Sequence, residues 1–348
     1  MISTRPHCVI LGAGLAGSAA ACALLPTHRV TLVDPCGSQD RPFRIGESVP
    51  AAAGRILRKL NFHDQFLSQG HLLTERKYSR WGTEELEVRD AFLNPDGPDF
   101  AVDRMKLENG LLKEALHRGA SHIPARLRTA TAATDCWNLE FSDGGELRAD
   151  WVIDATGRNA AFARLAGEKR IRDDKLVARW CQGAASGTIS GSYLQSGETG
   201  WWYTAAVPDH GRVLAFFSDP EAPLPEYGKI RELRSWLARD GFRPISVMKK
   251  TAAHGQSLTN PCGWRWHAVG DASLAFDPLS SQGIFHALYT GLKSPMTIAS
   301  GGETYGAEIA AIYHAYRDRS RLCYSLETRW PDSPFWAVRQ RHPLLIHS

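Results

Sequence analysis

The sequence predicts an α/β fold in which a parallel sheet is joined to a second lobe of mixed β-sheet. Three observations carry this prediction. A β-α-β unit occupies residues 7–35, two further strand-to-turn blocks of the same kind lie at 151–158 and 266–283, and residues 175–260 contain longer strands with clustered aromatic residues. The first lobe is therefore expected to be Rossmann-like.

The β-α-β unit begins with an apolar run from Cys8 to Leu11 and continues through a glycine turn, GAGLAG, into an alanine-rich helix. Gly12 permits the tight turn, Gly14 lets the backbone approach a pyrophosphate, and Gly17 lets the helix pack closely on the strand. Asp34 ends the second strand, where a carboxylate can accept hydrogen bonds from ribose hydroxyls. The unit therefore predicts a site for an adenine dinucleotide.

Composition excludes several classes of function. The 348 residues carry a net charge of +4 with no long basic run, which gives no case for nucleic acid as a partner. The seven cysteines are scattered and lack a C-x-x-C pair, and the 13 histidines lack H-x-x-x-H spacing, so neither a disulfide framework nor a metal site is expected. The apolar stretch 8–25 is broken by glycines, so it predicts neither a membrane span nor a signal peptide, and a cytoplasmic protein is expected.

Two segments after the first unit are candidates to approach the ligand. Gly46, Glu47 and Ser48 precede an apolar helical pattern, and Ser48 is predicted to cap that helix with Pro50 in its first turn. A second helix is predicted from Asp103, which places Arg104 in the first turn, where it can neutralise a phosphate or hold an edge of the dinucleotide.

The middle of the chain is predicted to be rich in strands. Residues 120–154 have the pattern of a β-meander that leads into a buried strand ending at Asp154. In the second lobe, strands are predicted at 177–184, 193–207 and 211–218, with a helix at 227–239. Its aromatic run Trp201-Trp202-Tyr203 could line a substrate pocket, although alternate residues of a strand point to opposite faces.

The last part of the chain returns to the first lobe. A strand ends at Asp271, whose carboxylate can accept from sugar hydroxyls, and the loop from Pro278 to Gly283 opens a helix predicted to end near residue 294. His286 on this helix is expected to be a packing residue. The tail from residue 305 is predicted to be helical at first, then aromatic and basic, and to pack over the first lobe.

These patterns divide the chain into three parts. Residues 1–174 form the first part of the nucleotide-binding lobe, residues 175–260 the mixed-sheet substrate lobe, and residues 261–348 the second part of the nucleotide-binding lobe with a helical tail.

Three blocks together resemble the FAD-binding signature of the p-hydroxybenzoate-hydroxylase-like flavoproteins: GAGLAG with Asp34, DATGR at 154–158, and GDASLAFDPLSSQGI from 270. The GES element at 46–48 and the DPLSSQG loop are similar to the halogenase-like branch. Within that branch the chain resembles flavoproteins that hydroxylate a peptidyl tryptophan during formation of a tryptophylquinone cofactor. The resemblance implies an FAD-binding lobe of the glutathione-reductase type.

The resemblance also implies roles by position. Gly12, Gly14 and Gly17 would hold the pyrophosphate, Asp34 the adenosine ribose, Arg104 the dinucleotide, and Asp271 the ribityl chain or the pyrophosphate. The remaining residues with a predicted place at the cofactor lie at the GES element and at the flavin edge: Gly46, Ser48, Pro278, Ser281, Gln282 and Gly283. Halogenases carry W-x-W-x-I-P and a catalytic lysine, whereas here Trp264-Arg265-Trp266 lacks Ile-Pro and residues 72–74 contain no lysine.

The function expected from these residues is FAD-dependent hydroxylation of an aromatic, indole-type group through a flavin C4a-hydroperoxide, with molecular oxygen as co-substrate. Since no second nicotinamide-binding fingerprint follows a strand, NADH or NADPH is expected to dock transiently, or a separate reductase to supply electrons. Glu47 is the candidate weak base, or else it orders the flavin loop. The substrate is expected to be a small aromatic compound or a peptide. Alternatives are a reductase of isoprenoid double bonds, a halogenase, and a flavin-binding partner protein without turnover.

Overall fold

The computed structural model describes residues 5–36, 43–187, 189–209 and 211–340. The strands, numbered in chain order, are β1 (His7–Leu11), β2 (Arg29–Val33), β3 (Ser48–Val49), β4 (Leu72–Thr74), β5 (Arg76–Arg80), β6 (Glu87–Asp90), β7 (Asp99–Ala101), β8 (Ser121–Ile123), β9 (Leu127–Ala132), β10 (Trp137–Phe141), β11 (Glu146–Ala149), β12 (Trp151–Asp154), β13 (Arg170–Arg172), β14 (Val177–Ala184), β15 (Ser192–Gly197), β16 (Gly200–Val207), β17 (Gly211–Ser218), β18 (Arg243–Pro244), β19 (Lys249–Ala252), β20 (Gln256–Leu258), β21 (Cys262–Gly263), β22 (Trp266–Ala268) and β23 (Leu274–Ala275).

The helices are α1 (Leu15–Leu24), α2 (Ala53–Lys59), α3 (His63–Ser68), α4 (Arg104–His117), α5 (Ala161–Leu165), α6 (Arg231–Arg239), α7 (Gly283–Ala299), α8 (Tyr305–Ser325) and α9 (Pro334–Gln340).

The first lobe is organised around a six-stranded sheet with the order β21-β22-β12-β1-β2-β8. Strand β1 pairs in parallel with β2 on one side and with β12 on the other, and β12 pairs in parallel with β22. All five residues of β1 are buried, as expected for the central strand of a parallel sheet covered on both faces. The Rossmann-like α/β fold predicted from the sequence is confirmed.

Close packing explains the alanine-rich sequence of α1. This helix is covered by α7, where a Cβ atom on Gly291 would lie 2.6 Å from the carbonyl oxygen of Ala16 and 2.7 Å from the Cβ of Ala19. Larger side chains on this face would therefore force the two helices apart. The contact holds the amino end of α1 and the amino end of α7 on the same lobe, and both ends border the site described below.

Three small sheets surround the main one. The meander β9-β10-β11 is antiparallel, as predicted for residues 120–154, and its core-facing residues Trp137, Leu139 and Phe141 alternate with exposed ones. The other two sheets have the orders β3-β7-β4 and β13-β20-β23. The sheet β13-β20-β23 lies where the two lobes are joined, because β13 comes just before the second-lobe strands β14–β19 in the sequence and β20 just after them.

The second lobe is an eight-stranded sheet with the path β18-β14-β17-β16-β15-β5-β6, and β19 also pairs with β14. Strands β14, β17 and β16 are antiparallel neighbours, as the long strands of 175–260 predict. Strands β5 and β6 join this sheet from an earlier part of the chain, since β5 pairs in parallel with β15. The sheet thus takes strands from outside residues 175–260, and the lobe boundaries drawn from the sequence stay predictions.

Several local predictions were wrong. Ser48 does not cap a helix: Ser48–Val49 is a strand paired with β7, and α2 begins only at Ala53. The predicted strand 193–207 is the hairpin β15–β16, turning at residues 198–199, and α7 continues to Ala299. The tail does not pack over the first lobe alone. Phe335 and Trp336 of α9 pack against second-lobe residues, while Arg341, the last basic residue assigned to the tail, lies outside the described residues.

The described ranges contain no helix long and apolar enough to cross a membrane.

Candidate functional site

A cleft of about 960 Å³ lies between the two lobes. One wall is built from the glycine turn after β1, the GES element and the loop before α7. The other wall is one face of the second-lobe sheet together with β19. Its size lies at the upper end of the range for small-molecule and cofactor sites.

The glycine turn forms the floor of the cleft, and two of its glycines have no room for a side chain. Gly12 has φ +100°, and a Cβ atom there would lie 2.3 Å from the carbonyl oxygen of Ala155. A Cβ on Gly17 would lie 1.9 Å from the carbonyl oxygen of Gly12. Gly14 lines the cleft as the N-cap of α1, so the first amides of the helix face the cavity. The turn thus has the geometry expected of an anion-binding cradle.

Asp34 closes this turn from the end of β2. Its Oδ2 accepts from the backbone N–H of Ala13 at 2.8 Å, and its Oδ1 accepts from the N–H of Cys36 at 2.8 Å. The carboxylate lines the cleft beside the turn. This is the position at which a ribose would meet it.

Arg104 fixes the GES element in place. Its Nε donates to Oε1 of Glu108 at 2.8 Å, and Nη1 donates to the carbonyl oxygen of Ile45 at 3.0 Å. Gly46 has φ +105°, and a Cβ there would lie 2.8 Å from Nη1. Burial lowers the pKa of Arg104, but Glu108 and the more distant carboxylates of Asp271 and Glu47 outweigh it and raise the pKa. Arg104 lines the cleft as a permanent cation.

Glu47 connects the two walls. Its side chain is buried, Oε2 accepts from the N–H of Gly46 at 3.0 Å, and its carbonyl oxygen accepts from the N–H of Val102 at 2.8 Å. The Tyr203 side chain of β16 lies near the Glu47 carboxyl, and burial together with this nearby negative charge raises the pKa of Tyr203 well above its usual value. The first lobe therefore contributes a carboxyl group to the cleft, and the second lobe a neutral phenol.

Asp271 and the loop before α7 complete the first wall. Asp271 follows β22, and its Oδ2 lies 3.8 Å from Nε of Arg158. Ser281 adopts a left-handed conformation with φ +52°, which turns the chain from a 3₁₀ turn at Pro278–Ser280 into α7. The unpaired amides at the start of α7 lie on the loop that borders the cleft.

Asp277 is a buried group of this loop that sequence reasoning missed. Its Oδ1 accepts from the N–H of Leu279 at 2.8 Å, and its Oδ2 accepts from the hydroxyl of Tyr324 at 2.7 Å. Nε1 of Trp201 donates to that same hydroxyl at 3.3 Å. Burial raises the pKa of Asp277 to about 6. The only signal in the sequence was an Asp-Pro dipeptide, and its partner Tyr324 lies 47 residues further along the chain.

The facing wall follows from the register of the second-lobe sheet. Trp180 is opposite Ala215 and Ala178 is opposite Phe217, while Tyr203 is opposite Ala215 and Trp201 is opposite Phe217. These side chains point to one face and line the cleft: Ala178, Trp180, Leu194, Trp201, Tyr203, Val213, Ala215 and Phe217. Trp202 points to the other face and packs on Phe216. Small residues between large aromatic rings leave room for a planar group.

The predicted site residues are brought together with one exception. All of them line the cleft except Gly17, which packs behind the turn: Gly12, Gly14, Asp34, Gly46, Glu47, Ser48, Arg104, Asp271, Pro278, Ser281, Gln282 and Gly283. Their roles stay predictions. His286 lies in the core, where its Nε2 is 3.2 Å from the Ser273 hydroxyl and burial lowers its pKa to about 3. No cluster of His, Cys, Asp or Glu able to hold a metal occurs in the described part of the chain.

Comparisons with known proteins agree with this geometry. No family model matches the chain. The FAD-dependent oxidoreductase LodB of Marinomonas mediterranea is 27% identical over 366 residues, covering 98% of both chains. Among solved structures, the flavin-dependent halogenase CmlS has a TM-score of 0.80 at 21% identity and covers 98% of this chain and 68% of its own.

A third similar protein is QhpG, described as a peptidyl tryptophan dihydroxylase essential for tryptophylquinone cofactor biogenesis. It has a TM-score of 0.74 at 23% identity, and the match covers 98% of this chain and 80% of QhpG. These likenesses show the fold of flavin-dependent halogenases and related FAD-dependent oxidoreductases. The wider p-hydroxybenzoate-hydroxylase-like resemblance stays a prediction.

Proposed function

We propose that this chain, a flavin-dependent oxidoreductase, is an FAD-dependent monooxygenase that hydroxylates an aromatic, indole-type ring, and that the ring belongs to a tryptophan of a partner peptide. The observation that carries the proposal is the cleft itself. The glycine turn that would cradle a dinucleotide forms one wall, and an aromatic surface interrupted by small residues faces it. The likeness to QhpG supports a peptidyl tryptophan as the substrate.

The residues present fit FAD. The Cβ positions of Gly12 and Gly17 are filled by backbone, so the turn can offer only main-chain groups to a ligand. The glycine turn would hold the pyrophosphate and Asp34 the adenosine. Asp271 and the loop from Ser281 would border the flavin ring. When bound, FAD supplies the two-electron chemistry that activates molecular oxygen. NADH, NADPH or a separate reductase would supply the electrons.

The chain's own residues would position the substrate and exclude water. Trp180, Trp201 and Phe217 form a largely apolar wall, and aromatic rings stack favourably on an indole at low conformational cost. Glu47 is within the cleft and buried, and the N–H of Gly46 orients its carboxyl, which can take or return a proton at Oε. The electron-rich indole ring requires little further activation.

Halogenation is the second candidate, favoured by the TM-score of 0.80 to CmlS. The halogenase resemblance implies a lysine facing the substrate. The lysines that line the cleft are Lys249 and Lys250, and both are exposed on the rim strand β19. A halogenase consumes halide and a monooxygenase does not, so halide dependence distinguishes the two candidates.

The test uses the FAD-loaded protein with NADH or NADPH, or with reduced flavin supplied by a reductase, in the presence of oxygen. Tryptophan-containing peptides and free indole are offered with and without chloride or bromide, and products are analysed by mass spectrometry. A gain of one or two oxygen atoms that is independent of halide supports the monooxygenase. A halide-dependent gain of halogen would establish the second candidate instead.

Two other results would contradict both candidates. Reduction of an isoprenoid double bond without oxygen consumption would identify a reductase. Tight FAD binding with no oxygen consumption for any reductant or peptide would identify a flavin-binding partner protein.

A further inference from the structure

The rim strand β19 is an open edge of the second-lobe sheet. It pairs with β14 and with no other strand of the described residues. All four of its residues, Lys249 to Ala252, are exposed, and all four line the cleft. The opposite edge of the sheet is β6, and its residues do not line the cleft. The open edge beside the candidate site is therefore β19.

The register shows which backbone groups of β19 point outward. The N–H of Ala253 donates to the carbonyl oxygen of Leu176 at 2.9 Å, and Thr251 is opposite Ala178. In an antiparallel ladder the residues alternate, so Thr251 and Ala253 direct their N–H and C=O groups toward β14. Lys250 and Ala252 must then direct theirs away from the sheet, where a further strand can pair with them.

The edge carries positive charge that the described residues do not neutralise. Lys250 lies directly opposite Arg179, a like-charged pair that disfavours the sheet, and both side chains donate to the carbonyl oxygen of Pro220. The ammonium group of Lys249 lies 5.2 Å from the ring centre of Trp180. In the described ranges none of these three cations forms an ion pair with a carboxylate. A partner with acidic side chains would supply the missing charge.

Apolar side chains extend the same surface. Between β18 and β19 the edge has four residues where β14 has two, and Ile245 and Val247 among them are 69% and 81% exposed. At the other end, β19 runs directly into the first lobe, where Nη1 of Arg158 donates to the carbonyl oxygen of His254 at 2.6 Å. The edge thus leads from an apolar surface to the cradle side of the cleft.

We propose that β19 is the docking edge for the substrate peptide, which adds in extended form as a new strand paired with Lys250 and Ala252 and carries acidic residues next to its target ring. This deepens the proposed function and rests on it. Since side chains of a paired strand alternate, every second residue of the peptide would point to the face that holds Thr251 and Trp180. The main chain would supply affinity, and the cleft would select the aromatic side chain.

The experiment uses the FAD-loaded protein and a short synthetic peptide with aspartates around one central tryptophan. Binding is measured by fluorescence anisotropy, and the bound edge is located by amide hydrogen exchange. Peptide binding should slow exchange at Lys250 and Ala252 and leave β6 unchanged. Replacing the aspartates of the peptide by lysines, or methylating alternate backbone nitrogens, should abolish binding.

Variants separate the contribution of backbone pairing from the contribution of charge to peptide binding. A252P removes one outward N–H, which an edge strand tolerates, and should weaken Kd about threefold to tenfold, while A252V keeps that N–H and should bind normally. K250E should weaken binding by about tenfold or more at low salt, and the exposed K113E on α4 should not. If A252P does not fold, the affinity of K250E and the hydrogen-exchange pattern still show whether the peptide docks on β19.

The outcomes distinguish failure of the docking edge from failure of the proposed monooxygenase chemistry. Peptide binding with protection only outside β19, or equal affinity of wild type and K250E, overturns the docking edge. Hydroxylation of free indole without peptide binding also overturns it while the monooxygenase stands. Protection at Lys250 and Ala252 without any turnover supports the edge and contradicts the proposed chemistry.

Discussion

Replacing Asp277 by asparagine should make the protein's stability less dependent on pH. The carboxyl group is buried, and burial raises its pKa from 3.8 to about 6 against the opposing donors of Leu279 and Tyr324. The nearby Asp174 also raises it, and Arg339 lowers it. Because the folded state holds this proton more tightly than the unfolded chain, the stabilisation is complete below about pH 4 and is lost as pH rises through about 6.

The size of the effect follows from the same numbers. Each tenfold change in proton affinity corresponds to about 1.4 kcal/mol. The difference between 3.8 and about 6 therefore costs the wild type about 3 kcal/mol of its free energy of unfolding between pH 4 and pH 8. Asparagine cannot ionise, and its amide can still accept from the Leu279 N–H, so D277N should not show this loss.

Urea unfolding followed by tryptophan fluorescence at several pH values measures the difference directly. The free energies of wild type and D277N should diverge in favour of the variant as pH rises, because all other titrating groups are common to both proteins. The matched control is D135N, since the side chain of Asp135 is 62% exposed and pairs with the equally exposed Arg148. Parallel pH curves for wild type and D277N would refute the assignment of a buried, poorly compensated carboxyl group.

Three other variants test other parts of the structure. G17A should abolish FAD binding, since its Cβ would lie 1.9 Å from a backbone oxygen, whereas G54A on the open face of α2 should bind FAD normally; flavin absorbance after gel filtration measures both. R212M removes the guanidinium that lies 2.6 Å from the Asp240 carboxylate, where both side chains are fully buried, so urea unfolding should show a loss of about 3–5 kcal/mol. E47Q should slow turnover and change its pH profile with little effect on FAD affinity, and an unchanged profile would show that Glu47 only orders the loop.

The parts of the fold that follow local rules could be predicted from the sequence. The glycine turn, the N-cap at Asp103 and the alternation in β10 each depend on residues within a few positions of one another. The assignment at Ser48 failed because pairing with β7, more than 50 residues away, overrides the local capping signal. Strands β5 and β6 were assigned to the first lobe for the same reason, since nothing near Arg76 indicates its partner strand.

The site residues also divide into those that belong to local motifs and those that are brought together from distant parts of the sequence. Residues that touch a cofactor's phosphates and sugars belong to short motifs, so twelve of the thirteen predicted positions line one cleft. The hydrogen-bond chain from Asp277 through Tyr324 to Trp201 joins three distant parts of the sequence and has no local pattern. Sequence reasoning also left the direction of Trp201, Trp202 and Tyr203 open, because alternation gives the two faces but not which of them meets the cleft.

The register of β16 resolves that choice and limits what the cleft can accept. Ala215 lies between Trp180 and Tyr203 in one row of the sheet, and Ala178 lies beside Phe217 and Trp201 in the next, so small side chains interrupt the aromatic wall. Trp201 is hydrogen-bonded through Tyr324 to Asp277, and Tyr203 lies near Glu47, so both large rings meet polar groups of the other wall. Rings held in this way cannot rotate freely to admit a bulkier group. We therefore expect the cavity to favour a flat aromatic ring over a branched or flexible chain, which is the physical argument for proposing an indole rather than an isoprenoid.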